Sequence, residues 1–156
     1  MSYVSFAPLD EAAQRYLSLR TGVDYTIFDY TLPAWLSVAV RDDDEFIMGV
    51  LVAEFQVPFE ALITAAIDDP RFMSRRLLHA IFSTLFSRAA RVTAQCRPDN
   101  EKSIRAIRHL GFQYEGFKRL GIEGKWDALM FGMLRHECRW IMPLKEPYRG
   151  QFPQAA

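Results

Sequence analysis

The chain has no apolar run of the ~20 residues that a membrane-spanning helix needs; its longest such stretch, FIMGVLVAEF at 46–55, is far shorter. MSYVSFAPLD at the start lacks a basic segment followed by an apolar core, so the sequence reads as that of a soluble cytoplasmic protein without a membrane partner. Cysteine is scarce. Cys96 and Cys138 cannot form a disulfide framework or supply a zinc-ligand pattern, and they read as buried free thiols. His79, His109 and His136 are scattered among polar neighbours, so no metal site is expected. Repeats, low-complexity tracts and internal linkers are missing as well. The 156 residues, half of them hydrophobic, suit one domain, placed at 1–142. The proline-containing stretch 143–156 reads as an irregular tail.

Net charge is also lacking overall, but the zero conceals a division. Residues 1–70 carry 12 acidic and 3 basic side chains, a balance of −9, and residues 71–156 carry 7 and 16, a balance of +9. Two readings follow: attraction between the halves within the fold, or a polyanionic ligand on the C-terminal half. The near-neutral pI of 6.8 and the absence of interleaved aromatic and basic residues argue against nucleic acid as a partner.

What is present is a regular alternation of elements. LDEAAQRYLSLR (9–20) has helical spacing with acids at its favourable end. WLSVAVR (35–41) and EFIMGVLVAEF (45–55) flank Asp42, Asp43 and Asp44 as a β-hairpin, and FEALITAAI (59–67) supplies another strand. A helix is predicted from about Pro70 to Ser87, with Asp69 as its cap. RVTAQCR (91–97) reads as a strand. A helix capped by Asn100 and closed by Gly111 follows, then strands at 112–120 and 126–134. Hairpin, strand, helix, strand, helix, strand, strand makes an α/β chain with a mostly antiparallel sheet and one βαβ insertion.

Within DDPRFMSRRLLHAIF (68–82), Arg71, Arg75 and Arg76 crowd the start of the predicted helix. A cation at a helix N-terminus is disfavoured by about 0.3–1 kcal/mol. The placement makes sense if an anion such as a phosphate rests there, since unpaired N–H groups and guanidinium forks both bind one.

The run DNEKSIRAIRHLGFQYEGFKR (99–119) resembles the Nx₂Sx₇GFx₂EGx₂R segment of GNAT superfamily N-acetyltransferases, especially those that modify ribosomal-protein N-termini. The ending GMLRHECRW (132–140) is similar to that of short acetyltransferase-like proteins of phages and prophages. The resemblance covers roughly residues 35–141. It implies a mixed, mostly antiparallel central sheet of about six to seven strands flanked by helices. It also implies acetyl-CoA as the acetyl donor, lying beside the strand 59–67, with its pyrophosphate at the start of the following helix. The acceptor would be a protein N-terminus, a lysine or a small amine; many relatives pair as homodimers, and the oligomeric state of this chain stays open. Residues implied to hold coenzyme A are Ile63, Thr64, Ala65, Arg71, Ser74, Arg75, Arg76, Asn100 and Ser103.

The chain departs from the family where glycine-rich backbone normally approaches the phosphates, because Phe72 and Ser74 stand there. Two outcomes are open. Either the arginines replace the backbone contacts with charge-assisted hydrogen bonds worth about 1.5–3 kcal/mol each, or the site no longer holds coenzyme A. In the second case the chain is a catalytically inactive GNAT-fold protein, phage-encoded in its resemblance, that binds and modulates a host protein.

For chemistry, Ser103 occupies the motif serine, which the resemblance makes a proton donor to the departing thiolate; its other reading is a helix-start residue bonded to local backbone. Asn100 reads as a helix cap and, by the resemblance, as a contact of the pantetheine amides, two roles that are compatible. Glu54 and Glu60, beside the turn between the two strands, are each a candidate base for the acceptor amine or a strand-end residue reaching solvent. Ile107 stands where many family members carry a tyrosine acid. Asp127 and Glu115 read as structural hydrogen-bonding groups.

Overall fold

In the computed structural model, which describes residues 3–141, the alternation of hydrophobic runs becomes one seven-stranded sheet in the order β1-β2-β3-β4-β5-β7-β6. The elements are β1 (Tyr3–Ser5), α1 (Glu11–Thr21), β2 (Trp35–Arg41), β3 (Ile47–Val57), β4 (Glu60–Ile67), α2 (Arg75–Arg88), β5 (Arg91–Cys96), α3 (Glu101–Leu110), β6 (Gln113–Ile122) and β7 (Trp126–Leu134). Every pairing is antiparallel except β4 with β5, the two strands joined through α2. The expected mixed sheet is therefore present. Strand β1 was not predicted, because three residues carry too little pattern. The tail at 143–156 lies outside the described residues.

Helix α1 packs on one face. Asp10 caps it by accepting from the Ala13 N–H at 2.9 Å, and Gly22, at φ 77°, ends it in the left-handed region that glycine tolerates. Ala13, Tyr16 and Leu17 lie against Ala39, Val50, Val52 and Ala66 there. Helices α2 and α3 cover the other face, where Leu77, Leu78, Ile81, Phe82 and Leu85 meet Leu51, Ala53, Ala61, Ile63 and Val92. The near-continuous apolar runs of the inner strands follow from this double cover.

The predicted helix beginning at Pro70 is corrected. Pro70–Met73 form a single 3₁₀ turn, and α2 begins only at Arg75. Asp69 caps the turn by accepting from the Arg71 N–H, whereas α2 is capped by Ser74, whose Oγ accepts from the Leu77 N–H at 3.3 Å. The cause is Ser74, whose extended backbone (φ −62°, ψ 142°) interrupts the helical path. This break drives Phe72 inward to complete burial.

The Phe72 ring lies over Gly49 of β3 so closely that a Cβ there would overlap it. Gly49→Ala should therefore destabilise the fold by about 1–3 kcal/mol through overpacking. The check is equilibrium urea unfolding, with a lowered midpoint at unchanged slope expected; an unaltered midpoint would contradict this packing.

Candidate functional site

The parallel pair β4 and β5 is bonded only from Glu60↔Arg91 to Ile63↔Ala94. Beyond that point β4 stays paired with β3 as far as Ile67↔Gly49, and β5 stays paired with β7 as far as Cys96↔Leu129. The two strands part from each other while each is held by its outer neighbour. Thr64–Ile67 thus have no strand on their β5 side, and their backbone groups on that edge face a cleft of ≈ 340 Å³. A parallel strand pair that opens towards its carboxyl ends is a recurrent place for a ligand.

The cleft passes through the sheet. On the α2–α3 face it is walled by Leu78, Phe82, Ser103, Ala106 and Ile107, and on the α1 face by Arg20, Tyr25 and Ile122. Phe72 forms part of the floor and leaves the cleft open, because its ring is spent on Gly49.

Of the residues singled out from the sequence, Ile63, Thr64, Ala65, Asn100 and Ser103 come together as cleft walls. Asn100 caps α3 by accepting from the Ser103 N–H at 3.1 Å while also lining the cleft. Arg71 is turned back onto Asp69, with Nη2 2.6 Å from Oδ2, and holds that carboxyl below its ordinary range. Ser74 has its hydroxyl oxygen engaged as the α2 cap. Arg75 and Arg76 stand exposed on the first turn of α2, and neither makes an ion pair among the described residues.

The two candidate bases do not line the cleft. Glu60 lies at the joined end of the parallel pair, accepting from the Thr93 hydroxyl at 2.6 Å and sitting 3.7 Å from Arg91. Thr64 lies four positions further along β4, about 13 Å away at strand rise. Glu54 is half-buried on β3, paired across from Trp35 and Leu62. Glu115 bonds Arg91, and Asp127 accepts from the Leu120 N–H, both as structural partners. Among the described residues no group of His, Cys, Asp or Glu is arranged to hold a metal ion.

Several cleft residues carried no signal in the sequence. Arg20, in the last turn of α1, bonds Asp68 at 2.8 Å through Nε and lies 3.5 Å over the Tyr16 ring. This contact draws the Asp68 carboxyl below its ordinary range, while burial pushes the Tyr16 hydroxyl up to about 12. Tyr25 donates to Thr64 Oγ1 at 3.2 Å, and burial raises its pKa above the ordinary value. Cys96, free and buried as expected, lies at the end of β5 that has parted from β4, where burial raises its thiol pKa. Arg97 and Lys102 add cations at the rim. These positions come from a helix end, a loop and a strand end that are far apart in sequence.

Solved structures similar in fold to this chain include acetyltransferases. A ribosomal-protein-S5-alanine acetyltransferase from Vibrio fischeri matches with a TM-score of 0.60 at 17% identity, over 89% of this chain and 94% of its own. A spermidine/spermine N-acetyltransferase from Vibrio cholerae gives 0.60 at 15%, over 84% and 92%. An IAA acetyltransferase from Bacillus cereus gives 0.66 at 14%, over 86% and 99%. No protein-family model and no curated protein matches the chain. At such identities the likeness is one of fold: the chain has the GNAT acetyltransferase fold, with the strand order and parted β4–β5 pair described above.

Proposed function

We propose that this protein is an acetyl-CoA-dependent N-acetyltransferase that passes the acetyl group directly to an amine. The observation that carries the reading is the parting of β4 from β5 beyond Ile63 and Ala94, which opens an edge of unpaired backbone onto an apolar cleft. The residues present fit the cofactor: an extended amide-bearing arm can pair with the free edge of β4, and the exposed Arg75 and Arg76 at the α2 N-terminus suit a diphosphate. When bound, acetyl-CoA would supply the acyl group activated as a thioester. Ser103, on the cleft wall, is our proton donor to the leaving sulfur, and Asn100 holds the α3 start beside it. Glu54, on the acceptor side, is our candidate to take the amine's proton through water. Glu60 is committed to Thr93 and Arg91 and is left out of the chemistry.

The acceptor amine is that of a protein N-terminus, a lysine or a small molecule; the V. fischeri and V. cholerae neighbours act on a ribosomal-protein alanine and on polyamines. Calorimetry tests the reading. Micromolar acetyl-CoA binding is expected, weakened at least about tenfold by Arg75→Ala with Arg76→Ala, since each charge-assisted contact is worth about 1.5–3 kcal/mol. A second reading, a non-catalytic GNAT-fold protein that binds another protein, is favoured by the glycine-free turn and by the withdrawal of Arg71 onto Asp69. It predicts no binding even at millimolar acetyl-CoA.

A further inference from the structure

Tyr25 enters the cleft from the loop between α1 and β2, where neither helical nor strand periodicity marks it. Its place is nevertheless fixed on all sides. The backbone N–H donates to Ser18 Oγ at 2.8 Å, and that hydroxyl donates to the Gln14 carbonyl at 2.8 Å, so α1 itself holds the residue. The Tyr25 carbonyl accepts from the Tyr30 hydroxyl at 2.7 Å. Tyr30 is buried, 5.0 Å from the Trp35 ring centre, and Phe28 lies 5.9 Å from the Tyr25 ring. Asp24 and Asp29 tighten the loop by accepting from the Thr26 and Thr31 N–H groups.

The held ring ends on Thr64. The Tyr25 hydroxyl donates to Thr64 Oγ1 at 3.2 Å, and Thr64 is the first β4 residue past the last pair with β5. The phenol therefore sits where the sheet forks, on the α1 face, opposite the wall that carries Ser103. We propose that Tyr25 is a catalytic residue that holds the attacking amine: its proton is given to Thr64, and a phenolic lone pair accepts a hydrogen bond from the acceptor N–H. This rests on the acetyltransferase reading. In the step concerned, the amine nitrogen forms the new C–N bond as the thioester C–S bond opens. Sulfur leaves with the electron pair and ends protonated, and nitrogen loses one proton overall, none of it to Tyr25.

Two further observations agree. Burial keeps Tyr25 protonated well beyond neutral pH, so it serves as a fixed hydrogen-bonding group and not as a base. Glu123 and Glu54 act in the same direction, each favouring the protonated phenol.

The test uses Tyr25→Phe and Thr64→Val in the full chain, with spermidine and an alanine-initiated peptide as probes. Tyr25→Phe should raise the KM for the amine about tenfold, the upper worth of one neutral hydrogen bond, while acetyl-CoA binding by calorimetry stays unchanged and the melting temperature falls only by the few degrees that loss of the bond to Thr64 allows. Thr64→Val, which leaves the ring in place but removes the partner for its proton, should change the amine KM in the same direction. Independently of turnover, the ζ-carbon NMR resonance of Tyr25, identified by its loss in Tyr25→Phe, should move when spermidine is added to the coenzyme A complex. An unchanged amine KM in Tyr25→Phe, or a resonance unmoved by either probe, overturns the proposal. Failure of the wild-type protein to bind acetyl-CoA instead overturns the acetyltransferase reading and the role of Tyr25 with it.

Discussion

Phe72→Ala should cost the fold about 3–5 kcal/mol, the range for removing a fully enclosed phenyl ring. Phe72 has no exposed surface, and its ring fills the space that Gly49 leaves by lacking a Cβ. Its loss empties a site that cannot collapse easily, because β3 is held by β2 on one edge and β4 on the other. Against a typical total of about 5–15 kcal/mol, the loss is between about a fifth and all of the stability, and it should show as a large fall in urea midpoint. A loss under about 1 kcal/mol, the size of a peripheral contact, would mean that the ring is not anchored on Gly49. The same ring secures the turn that presents Arg75 and Arg76, so residual folded variant should also bind acetyl-CoA more weakly.

The second large effect concerns the cleft and spares the core. Ala106 lies on the cleft wall of α3, half-buried, and is not part of the buried cluster beneath that helix. Ala106→Trp places an indole in a space of ≈ 340 Å³ that the proposed coenzyme arm must share. The helix should tolerate it, since tryptophan costs less than about 0.7 kcal/mol against alanine in helix propensity. Acetyl-CoA affinity should fall at least tenfold, about 1.4 kcal/mol, and acetyl transfer should fall with it. Calorimetry beside thermal unfolding checks this: undiminished affinity in a folded variant would show that the cleft is not where coenzyme A lies.

How far the architecture was legible differs from element to element. The strand at 126–134 was predicted with its observed bounds, as was 35–41, because each is a largely apolar run, valine-containing in 35–41, beside turn residues. Helix α3 was legible at both ends: Asn100 caps it, Gly111 takes φ 105°, and the Phe112 N–H donates back to the Ile107 carbonyl. The start of α2 was misread, because Asp-Pro is a good helix opening by itself and nothing local announces that Phe72 must turn inward. That outcome depends on Gly49, over twenty positions earlier in the chain.

The site divides along the same line. Ser103 and Asn100, three positions apart, could be assigned together from one motif, and both line the cleft. Glu54 and Glu60 could be located beside the β3–β4 turn, but not their distance from the fork, which depends on where β4 and β5 stop pairing. Arg71 illustrates the same limit: its neighbour Asp69, two residues away, takes its guanidinium once the 3₁₀ turn forms. Tyr25 was invisible, since its significance comes from Thr64, Ser18 and Tyr30 meeting around it.

By itself the sequence determined the order of the elements from α1 onward, the sheet class and the motif on α3, because periodicity, caps and turn residues act over a few neighbouring positions. Only the tertiary structure decided that β4 and β5 part after Ile63, that Phe72 leaves the cleft open by packing on Gly49, and which loop side chain reaches the fork. Those outcomes are set by strand pairing and close packing between distant segments, energies that no local stretch of chain contains.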